Sequence, residues 1–180
     1  MPARVWVPAY VGIGSNLDDP EHQVRAALQA LSGLTDSRLV ARSGTLRNPA
    51  LGPRPQPEFI NAVAGLLTRL APVDLLDALL AIEQRQGRDR GSDVRWGPRR
   101  IDLDLLVYGD VAMDTDRLVI PHPGIATRNF VLFPLLEIAP GLRVPGLGPV
   151  QRLVAAFKQQ TTGQVSSTWV APVTLQSKAP

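Results

Sequence analysis

The sequence predicts an α+β fold in which helices pack on an antiparallel β-sheet. Three observations lead to this prediction. Within the apolar stretch at residues 101–108, residues 101–105 alternate between apolar and acidic side chains, as a half-exposed strand does. Residues 20–32 and 72–86 carry apolar side chains at helical spacing. The 180 residues are 44% hydrophobic, which is enough for one compact domain.

The first strand and the first helix have clear boundaries. We predict a strand from Tyr10 to Gly14, with its β-branched side chains on one face. An aspartate cap at Asp19 and a proline at Pro20 predict the start of a helix, and Gly33 predicts its end. The apolar side chains of this helix recur every three or four residues, at Val24, Ala27, Leu28 and Leu31.

The middle of the chain predicts two strands, a loop and a second helix. The strands span residues 38–46 and 59–70, and the loop over residues 48–57 contains four prolines. Pro72 opens the second helix, which ends at Gly87. The segment from Gly87 to Arg100 is then an arginine-rich loop.

The strand at residues 101–108 completes a βαββαβ order, which is the ferredoxin-like arrangement. Its alternation places Ile101, Leu103, Leu105 and Val107 on one face and two aspartates on the other. Residues 111–120 predict shorter extended segments, and a helical extension follows at residues 124–130, 131–138 and 150–158. We expect a single domain over residues 1–158 and a polar tail over 159–180, either disordered or forming an edge strand.

Composition excludes several classes of function. Without cysteine there is no disulfide framework, thiolate nucleophile or cysteine-bound zinc. Only two histidines are present, so we do not expect a metal site built from histidines. No apolar stretch is long enough for a membrane span, and the first residues do not resemble a signal peptide. We therefore expect a cytoplasmic protein without membrane partners. The net charge of +3 does not argue for a nucleic-acid partner.

Two aspartates, Asp102 and Asp104, form the sharpest chemical feature. Residues two apart on a strand point to the same side, roughly 6.6 Å apart. Paired carboxylates can bind hard divalent cations, and Mg²⁺ takes one or two carboxylates together with water and substrate phosphates. The alternative is that both side chains simply face solvent.

Arginines immediately upstream favour the metal interpretation over the solvent one. They lie at positions 88, 90, 95, 99 and 100. Guanidinium groups bind phosphate oxygens in a bidentate manner, and a cation site beside them suits polyphosphate chemistry. Alternatively, these arginines form a solvated loop paired with Asp89 and Asp93. Phosphate-binding glycine loops of the P-loop and dinucleotide types are missing, as are protein-kinase motifs.

Few aromatic residues are present, so their positions are informative. Phe59 and Asn61 share a strand face, where a flat heterocycle could stack on the ring while the amide binds its edge; a core phenylalanine beside a capping asparagine is the alternative. Trp96 could close over a ligand or pack its own loop. His122 could donate to phosphate or be satisfied by backbone groups.

Together these segments resemble the hydroxymethyldihydropterin pyrophosphokinase family. The matching stretches are YVGIGSNL (10–17), LGP (51–53), QPEFIN (56–61), IE (82–83), GR (87–88), RWGPRRIDLDL (95–105) and IPHP (120–123), followed by Arg128 and Phe130. They occur in the family's order over residues 9–140. The block that runs from the arginines into the two aspartates is the most specific.

The resemblance implies transfer of pyrophosphate from MgATP to the hydroxymethyl group of a dihydropterin, releasing AMP. It implies that ATP is the co-substrate, that Asp102 and Asp104 hold two Mg²⁺ ions, and that Arg88 and Arg99 stabilise the migrating phosphates. The ATP site would comprise Glu83, Arg88, Arg90, Arg95, Trp96, Arg99, Leu105, Arg117, His122 and Arg128. The pterin site would comprise Asn48, Pro49, Leu51, Phe59, Asn61, Trp96, Asp102 and Phe130. The partners would be these small molecules alone, and we expect a monomer.

Two other functions fit the same fold. A palm-like nucleotidyltransferase or cyclase also uses paired aspartates, although a further carboxylate is expected on a neighbouring strand. An RNA-binding module would place aromatic residues on the central strands for base stacking. The two aspartates oppose the RNA interpretation because their charge repels phosphate.

Overall fold

A five-stranded antiparallel sheet forms the centre of the computed structural model, which describes residues 5–51, 55–91 and 97–162. Its main path runs β2-β4-β1-β5, and β3 pairs with β4 beyond the end of β2. The strands are β1 (Val7–Ser15), β2 (Ser37–Arg42), β3 (Leu46–Asn48), β4 (Phe59–Thr68) and β5 (Asp102–Tyr108). The predicted α+β class is confirmed.

Two helices cover one face of this sheet. Helix α1 (Pro20–Ser32) begins where the Asp19 carboxylate accepts a hydrogen bond from the His22 backbone N–H at 3.1 Å, and it ends before Gly33, as predicted. Helix α2 (Pro72–Arg85) opens with the predicted proline. With β1, β4 and β5 these helices enclose a first core, whose largest fully buried side chains include Leu31, Leu66, Leu75, Leu79, Ile82, Ile101 and Leu103.

The helical extension covers part of the opposite face. It comprises a 3-10 turn (Ile125–Thr127), α3 (Asn129–Ile138) and α4 (Val150–Thr162). A second core lies between these helices and the sheet and contains Val63, Leu106, Val107, Ile125, Val131, Leu132, Leu135, Val144, Val150 and Val154. The sheet therefore carries helices on both faces, whereas only the first layer follows from the βαββαβ pattern.

Two short hairpins complete the fold. Strands β6 (Met113–Asp114) and β7 (Val119–Ile120) are the extended segments expected in residues 111–120, and β8 (Arg143–Val144) pairs with β9 (Gly148–Pro149). Helix α4 continues through residue 158 to Thr162, so the expected tail begins inside a helix, and residues 163–180 lie outside the described part. None of the helices in the described part is long and apolar enough to cross a membrane.

The strand predicted over residues 38–46 is in fact two strands. Between β2 and β3 the chain turns at Ser43, whose backbone N–H donates to the Val63 carbonyl and whose Oγ accepts from the Val63 N–H, each at 2.9 Å. The Gly44 N–H donates to the Glu137 carboxylate of α3 at 3.0 Å. These partners are distant in sequence, so local alternation could not reveal the break.

A bulge in β5 changes the face on which Val107 lies. Leu105 pairs with Val11 and Val107 pairs with Tyr10, which leaves Leu106 as an extra residue. Val107 therefore packs in the second core, although the alternation of the strand predicted it beside Leu105 in the first. The bulge falls at a leucine within an apolar run, so no residue type in the sequence marks its position.

Candidate active site

The second face of the sheet is open at one end, beside α3, and there forms a cleft of about 280 Å³. Its position follows from strand alternation, because β1, β4 and β5 direct every second residue away from the first core. The open end of this face carries mostly small and polar residues, whereas the end covered by the helices carries apolar ones. The cleft is lined by Gly12, Ile13, Gly14, Asn48, Leu51, Phe59, Asn61, Ala62, Gly97, Arg99, Asp102, Asp104, Leu106, Arg128, Phe130 and Val131.

One side of the cleft combines an aromatic ring with an amide pair. Asn61 is buried, and its Nδ2 donates to Asn48 Oδ1, while Asn48 Nδ2 donates to the Pro49 carbonyl at 2.9 Å. Phe59 lies two residues before Asn61 on the same face of β4. A Cβ atom at Gly14 would lie 2.9 Å from Asn61 Oδ1, so glycine is needed for this placement. The result is a flat, apolar surface with fixed hydrogen-bonding groups at its edge.

The other side of the cleft holds Asp102 between two arginines. Arg88 Nη1 donates to Asp102 Oδ1, and Arg99 Nη1 donates to Asp102 Oδ2 at 2.5 Å. Burial alone would raise the pKa of Asp102, but the charges of Arg99 and Arg88 outweigh it and hold the pKa below its usual value. Asp102 is therefore ionised and its charge is compensated.

Behind Asp102, the buried Glu83 links Arg88 and Arg90, which lie in the arginine-rich loop after α2, to strand β5. Its Oε1 accepts from Arg88 Nη1 and from the Leu103 backbone N–H, each at 2.7 Å, and its Oε2 accepts from Arg90 at 2.6 and 2.9 Å. Burial raises the pKa of Glu83, although the Leu103 N–H and both arginines act in the opposite direction. A carboxylate that is only 1% exposed thus orients the guanidinium that reaches Asp102.

Asp104 has a different environment from Asp102. Its side chain is 36% exposed and lines the cleft. Burial, together with the charge of Asp102, raises the pKa of Asp104 to about 7. His122 Nε2 lies 3.9 Å from Asp104 Oδ2, and His122 Nδ1 accepts from the Gly124 N–H at 2.9 Å, so the neutral ring carries its proton on Nε2, towards Asp104. Burial, aided by Arg128, lowers the pKa of His122.

The paired aspartates fit a divalent cation. No group of three or more histidine, aspartate or glutamate side chains suited to a metal ion occurs among the described residues. Mg²⁺ nevertheless needs only one or two carboxylates when substrate phosphates and water complete its coordination. After burial, the charge of Asp102 contributes to the raised pKa of Asp104, and a bound cation would relieve this repulsion between the two acids.

The structure brings most of the predicted site residues together, in two layers. Nine line the cleft: Asn48, Leu51, Phe59, Asn61, Arg99, Asp102, Asp104, Arg128 and Phe130. A second group lies behind or beside these: Arg88 contacts Asp102, His122 lies near Asp104, and Glu83 joins Arg88 to Arg90. Arg95 and Trp96 lie outside the described residues.

Three predicted residues lie away from the cleft. Leu105 is buried in the first core. It is an odd number of residues from each of the two aspartates, so its side chain lies on the other face of β5. Arg117 pairs with Asp77 of α2 at 2.5 Å on the surface. Pro49 is exposed and contributes its carbonyl to Asn48 without lining the cleft.

Two glycines of β1 are part of the site although sequence reasoning gave them no role in binding. Gly12 and Gly14 line the cleft on the same face of the strand as each other. Alternate glycines inside a strand often mark a close approach by a ligand or another group. That signal was available in the sequence, whereas the packing of Asn61 against Gly14 depends on the register of β4.

The chain is similar in sequence to one family of known proteins. Residues 10–140 match the family model described as 7,8-dihydro-6-hydroxymethylpterin-pyrophosphokinase. The chain is 51% identical over 147 residues to the 2-amino-4-hydroxy-6-hydroxymethyldihydropteridine pyrophosphokinase of Pseudomonas aeruginosa, covering 82% of this chain and 90% of that one. It is 44% identical over 151 residues to the enzyme of the same name from Haemophilus influenzae, covering 84% and 93%.

Solved structures show the same fold at low identity. The crystal structure of wild-type Plasmodium falciparum HPPK-DHPS matches with a TM-score of 0.68 at 12% identity, over 91% of this chain and 43% of that chain. The present chain thus spans less than half of that protein. Because the identity is only 12%, the likeness concerns the fold alone.

Proposed function

The chain belongs to the 7,8-dihydro-6-hydroxymethylpterin-pyrophosphokinase family, and we propose that its cleft is where the family's two substrates meet. The protein is an ATP-dependent pyrophosphokinase of folate biosynthesis. It transfers the pyrophosphoryl group of ATP to the hydroxymethyl group of 6-hydroxymethyl-7,8-dihydropterin. The single observation that supports this location best is that one cleft combines a flat surface edged by amides with a pair of aspartates, of which Asp102 is bound by two arginines.

The pterin is proposed to bind at the side formed by Phe59, Phe130 and Asn61. Aromatic rings offer stacking surfaces to a flat heterocycle, and such stacking is worth about 1–3 kcal/mol per ring in comparable base complexes. The Asn61 amide is fixed by Asn48 and supplies hydrogen bonds at the ring edge. A site that pairs its polar groups with those of the ligand rejects analogues lacking them.

The triphosphate is proposed to bind at the side formed by Arg88, Arg99 and Arg128. Arg128 lines the cleft and makes no ion pair with any residue in the described ranges. The Nε of Arg99 is buried, and no acceptor for it exists among the described residues. Arg128 and the Nη groups of Arg99, whose side chain is 28% exposed, can donate to phosphate oxygens, which suits a reaction that depends on positioning and charge neutralisation.

We further propose that Asp102 and Asp104 hold Mg²⁺ with the phosphates. Each carboxylate oxygen has a second lone pair, so Asp102 can bind a cation while an arginine still donates to it. When bound, Mg²⁺ neutralises phosphate charge and lowers the pKa of a coordinated hydroxyl. The site is formed by one chain, and we propose that the enzyme acts as a monomer.

In the reaction, the pterin hydroxyl oxygen forms a bond to the β-phosphorus of ATP, and the bond from that phosphorus to the AMP oxygen breaks. The hydroxyl releases its proton to solvent, and AMP leaves with the electron pair. Arg88 and Arg99, at the Asp102 end of the cleft, stabilise the negative charge that develops on the phosphates. Phe59, Phe130 and Asn61 orient the alcohol for in-line attack.

The products of a single incubation test this function. We expect protein, MgATP and 6-hydroxymethyl-7,8-dihydropterin to give AMP and pterin diphosphate in equal amounts. Release of free pyrophosphate would instead indicate a nucleotidyltransferase, and tight RNA binding without turnover would indicate an RNA-binding module. Against the nucleotidyltransferase, the described residues that line the cleft include no third carboxylate on a neighbouring strand.

A further inference from the structure

Asn16, at the end of β1, connects the two sides of the cleft without lining it. Its side chain is among the most buried polar groups, with the residue only 2% exposed. Asn16 Oδ1 accepts from the Arg99 backbone N–H at 2.7 Å, and the Asn16 N–H donates to the Arg99 carbonyl at 3.0 Å. Asn16 Nδ2 donates to the Pro57 carbonyl at 3.0 Å and to Gln56 Oε1 at 3.1 Å.

Two backbone groups fix the orientation of the Asn16 amide. The Arg99 N–H can only donate and the Pro57 carbonyl can only accept, so the amide oxygen faces Arg99 and the amide nitrogen faces Pro57. All these partners are far from Asn16 in sequence. Every part of this buried amide is therefore used to hold two separate segments against the end of β1.

The two segments lead directly to opposite sides of the cleft. Pro57 lies two residues before Phe59, where β4 begins on the proposed pterin side. Arg99 lies on the proposed phosphate side, and its guanidinium donates to Asp102. A shift of either segment is thus transmitted through one planar amide to the other.

We propose that Asn16 is a positioning residue that couples pterin binding to nucleotide binding. Contacts of the triphosphate with Arg99 stabilise the hydrogen bonds between the Arg99 backbone and Asn16, and Asn16 then holds the segment at residues 55–58 in the conformation that receives the pterin. The coupling acts in both directions by thermodynamic necessity. The proposal rests on the proposed function of the cleft, since it assigns the two segments to the two substrates.

Binding measurements on the full chain test this proposal. The dissociation constant of 6-hydroxymethylpterin is measured by calorimetry with and without saturating Mg²⁺ and α,β-methylene-ATP, and the ratio gives the coupling. Coupling between two sites is commonly about 5- to 150-fold. We expect Asn16→Ala to reduce the wild-type ratio by about tenfold, towards unity, while each ligand alone binds with less than about a threefold change.

Two further variants separate coupling from loss of structure. Asn16→Asp keeps the acceptor for the Arg99 N–H and loses both donors to Gln56 and Pro57, so it too should lose the coupling. Ser15→Ala is the matched control. Ser15 is equally buried at the same strand end and donates to the Arg100 carbonyl at 2.6 Å, but the hydrogen bonds of its side chain do not include residues 55–58. It should keep the wild-type ratio.

The outcomes divide clearly. The proposal would be overturned if Asn16→Asp has a native melting temperature and keeps the wild-type ratio of pterin dissociation constants. It would also be overturned if Ser15→Ala loses the coupling to the same extent as the Asn16 variants. If Asn16→Ala does not fold, the comparison of Asn16→Asp with Ser15→Ala decides alone. A wild-type protein that forms no AMP from the two substrates would refute the proposed function instead, so the two failures are distinguishable.

Discussion

The two faces of strand β5 show how one segment can serve stability on one side and chemistry on the other. Ile101, Leu103 and Leu105 are at most 3% exposed and pack in the first core. Asp102 and Asp104, between them in sequence, point into the cleft. Because successive residues of a strand point to opposite faces of the sheet, the two sets lie on opposite faces of the same strand. A change on one face should therefore affect folding, and a change on the other should affect turnover.

The difference also explains why the acids are tolerated. A buried carboxylate is costly unless it is paired, and on the cleft face Asp102 is paired with two arginines that Glu83 and the Asn16 amide hold in place. Asp104 receives less compensation, and its pKa is raised to about 7. The strand thus places one stable charge and one titrating group side by side.

The largest effect should follow from Asp104→Ala on the cleft face. If Asp104 holds Mg²⁺ with the phosphates, several kcal/mol of charge stabilisation are lost, which corresponds to about a thousandfold lower kcat. The circular dichroism spectrum should remain that of the wild type because no core packing changes. Steady-state AMP formation measures the effect. Turnover within tenfold of the wild-type rate would rule out the metal role.

On the other face, Leu103→Ala should act on stability. Leu103 is 1% exposed in the first core, and truncation of a buried leucine costs about 2–5 kcal/mol. Urea unfolding should show this loss, while both KM values stay near wild type at a temperature where the variant is folded. A selective rise in one KM without a loss of stability would contradict the division between the faces.

Within the second face, Phe59→Ala tests the open end against the covered end. Loss of ring stacking should raise the KM for the pterin by about 5- to 150-fold, from about 1–3 kcal/mol, and leave the KM for MgATP nearly unchanged. Val63→Ala is the control on the same strand and face, because Val63 is covered by the second core. It should lower the melting temperature and spare the pterin KM. The reverse pattern would place the pterin elsewhere.

The smallest effect should come from the protonation of Asp104. Its folded pKa of about 7 lies above the ordinary value of 3.8, so ionisation destabilises the folded state as the pH rises through this window. Asp104→Asn cannot ionise there. Without divalent cations, its melting temperature relative to wild type should rise by a few degrees between pH 4 and pH 7 and level off above pH 7. A difference that does not change with pH would show that Asp104 has an ordinary pKa.

Much of the fold could be predicted from local sequence features. The cap at Asp19, the prolines at positions 20 and 72 and the alternation of β5 each act within a few residues, and the structure shows the elements they predict. The break at Ser43 and the bulge at Leu106 depend on partners across the sheet. No pattern within one segment contains those partners.

The candidate site divides in the same way. The paired aspartates and the arginine segment were visible because their spacing is local, and the structure places Arg88 and Arg99 on Asp102. The assignment of Leu105 to the nucleotide came from resemblance, whereas its side chain packs in the first core. The role of Asn16 could not be found from spacing, because its partners are about 40 and 83 positions away.

The bulged residue in β5 has a consequence for comparing relatives. Leu106 forms part of the cleft floor, where a Cβ on Gly12 would already lie 3.4 Å from its side chain. Strand pairing continues on either side of it, from Val11 with Leu105 to Tyr10 with Val107. A homologue with a one-residue gap here would keep both acids and the whole sheet. Its alignment with the present sequence would show only a minor difference. The cleft would nevertheless lack the Leu106 side chain, so its floor would be deeper and have a different shape.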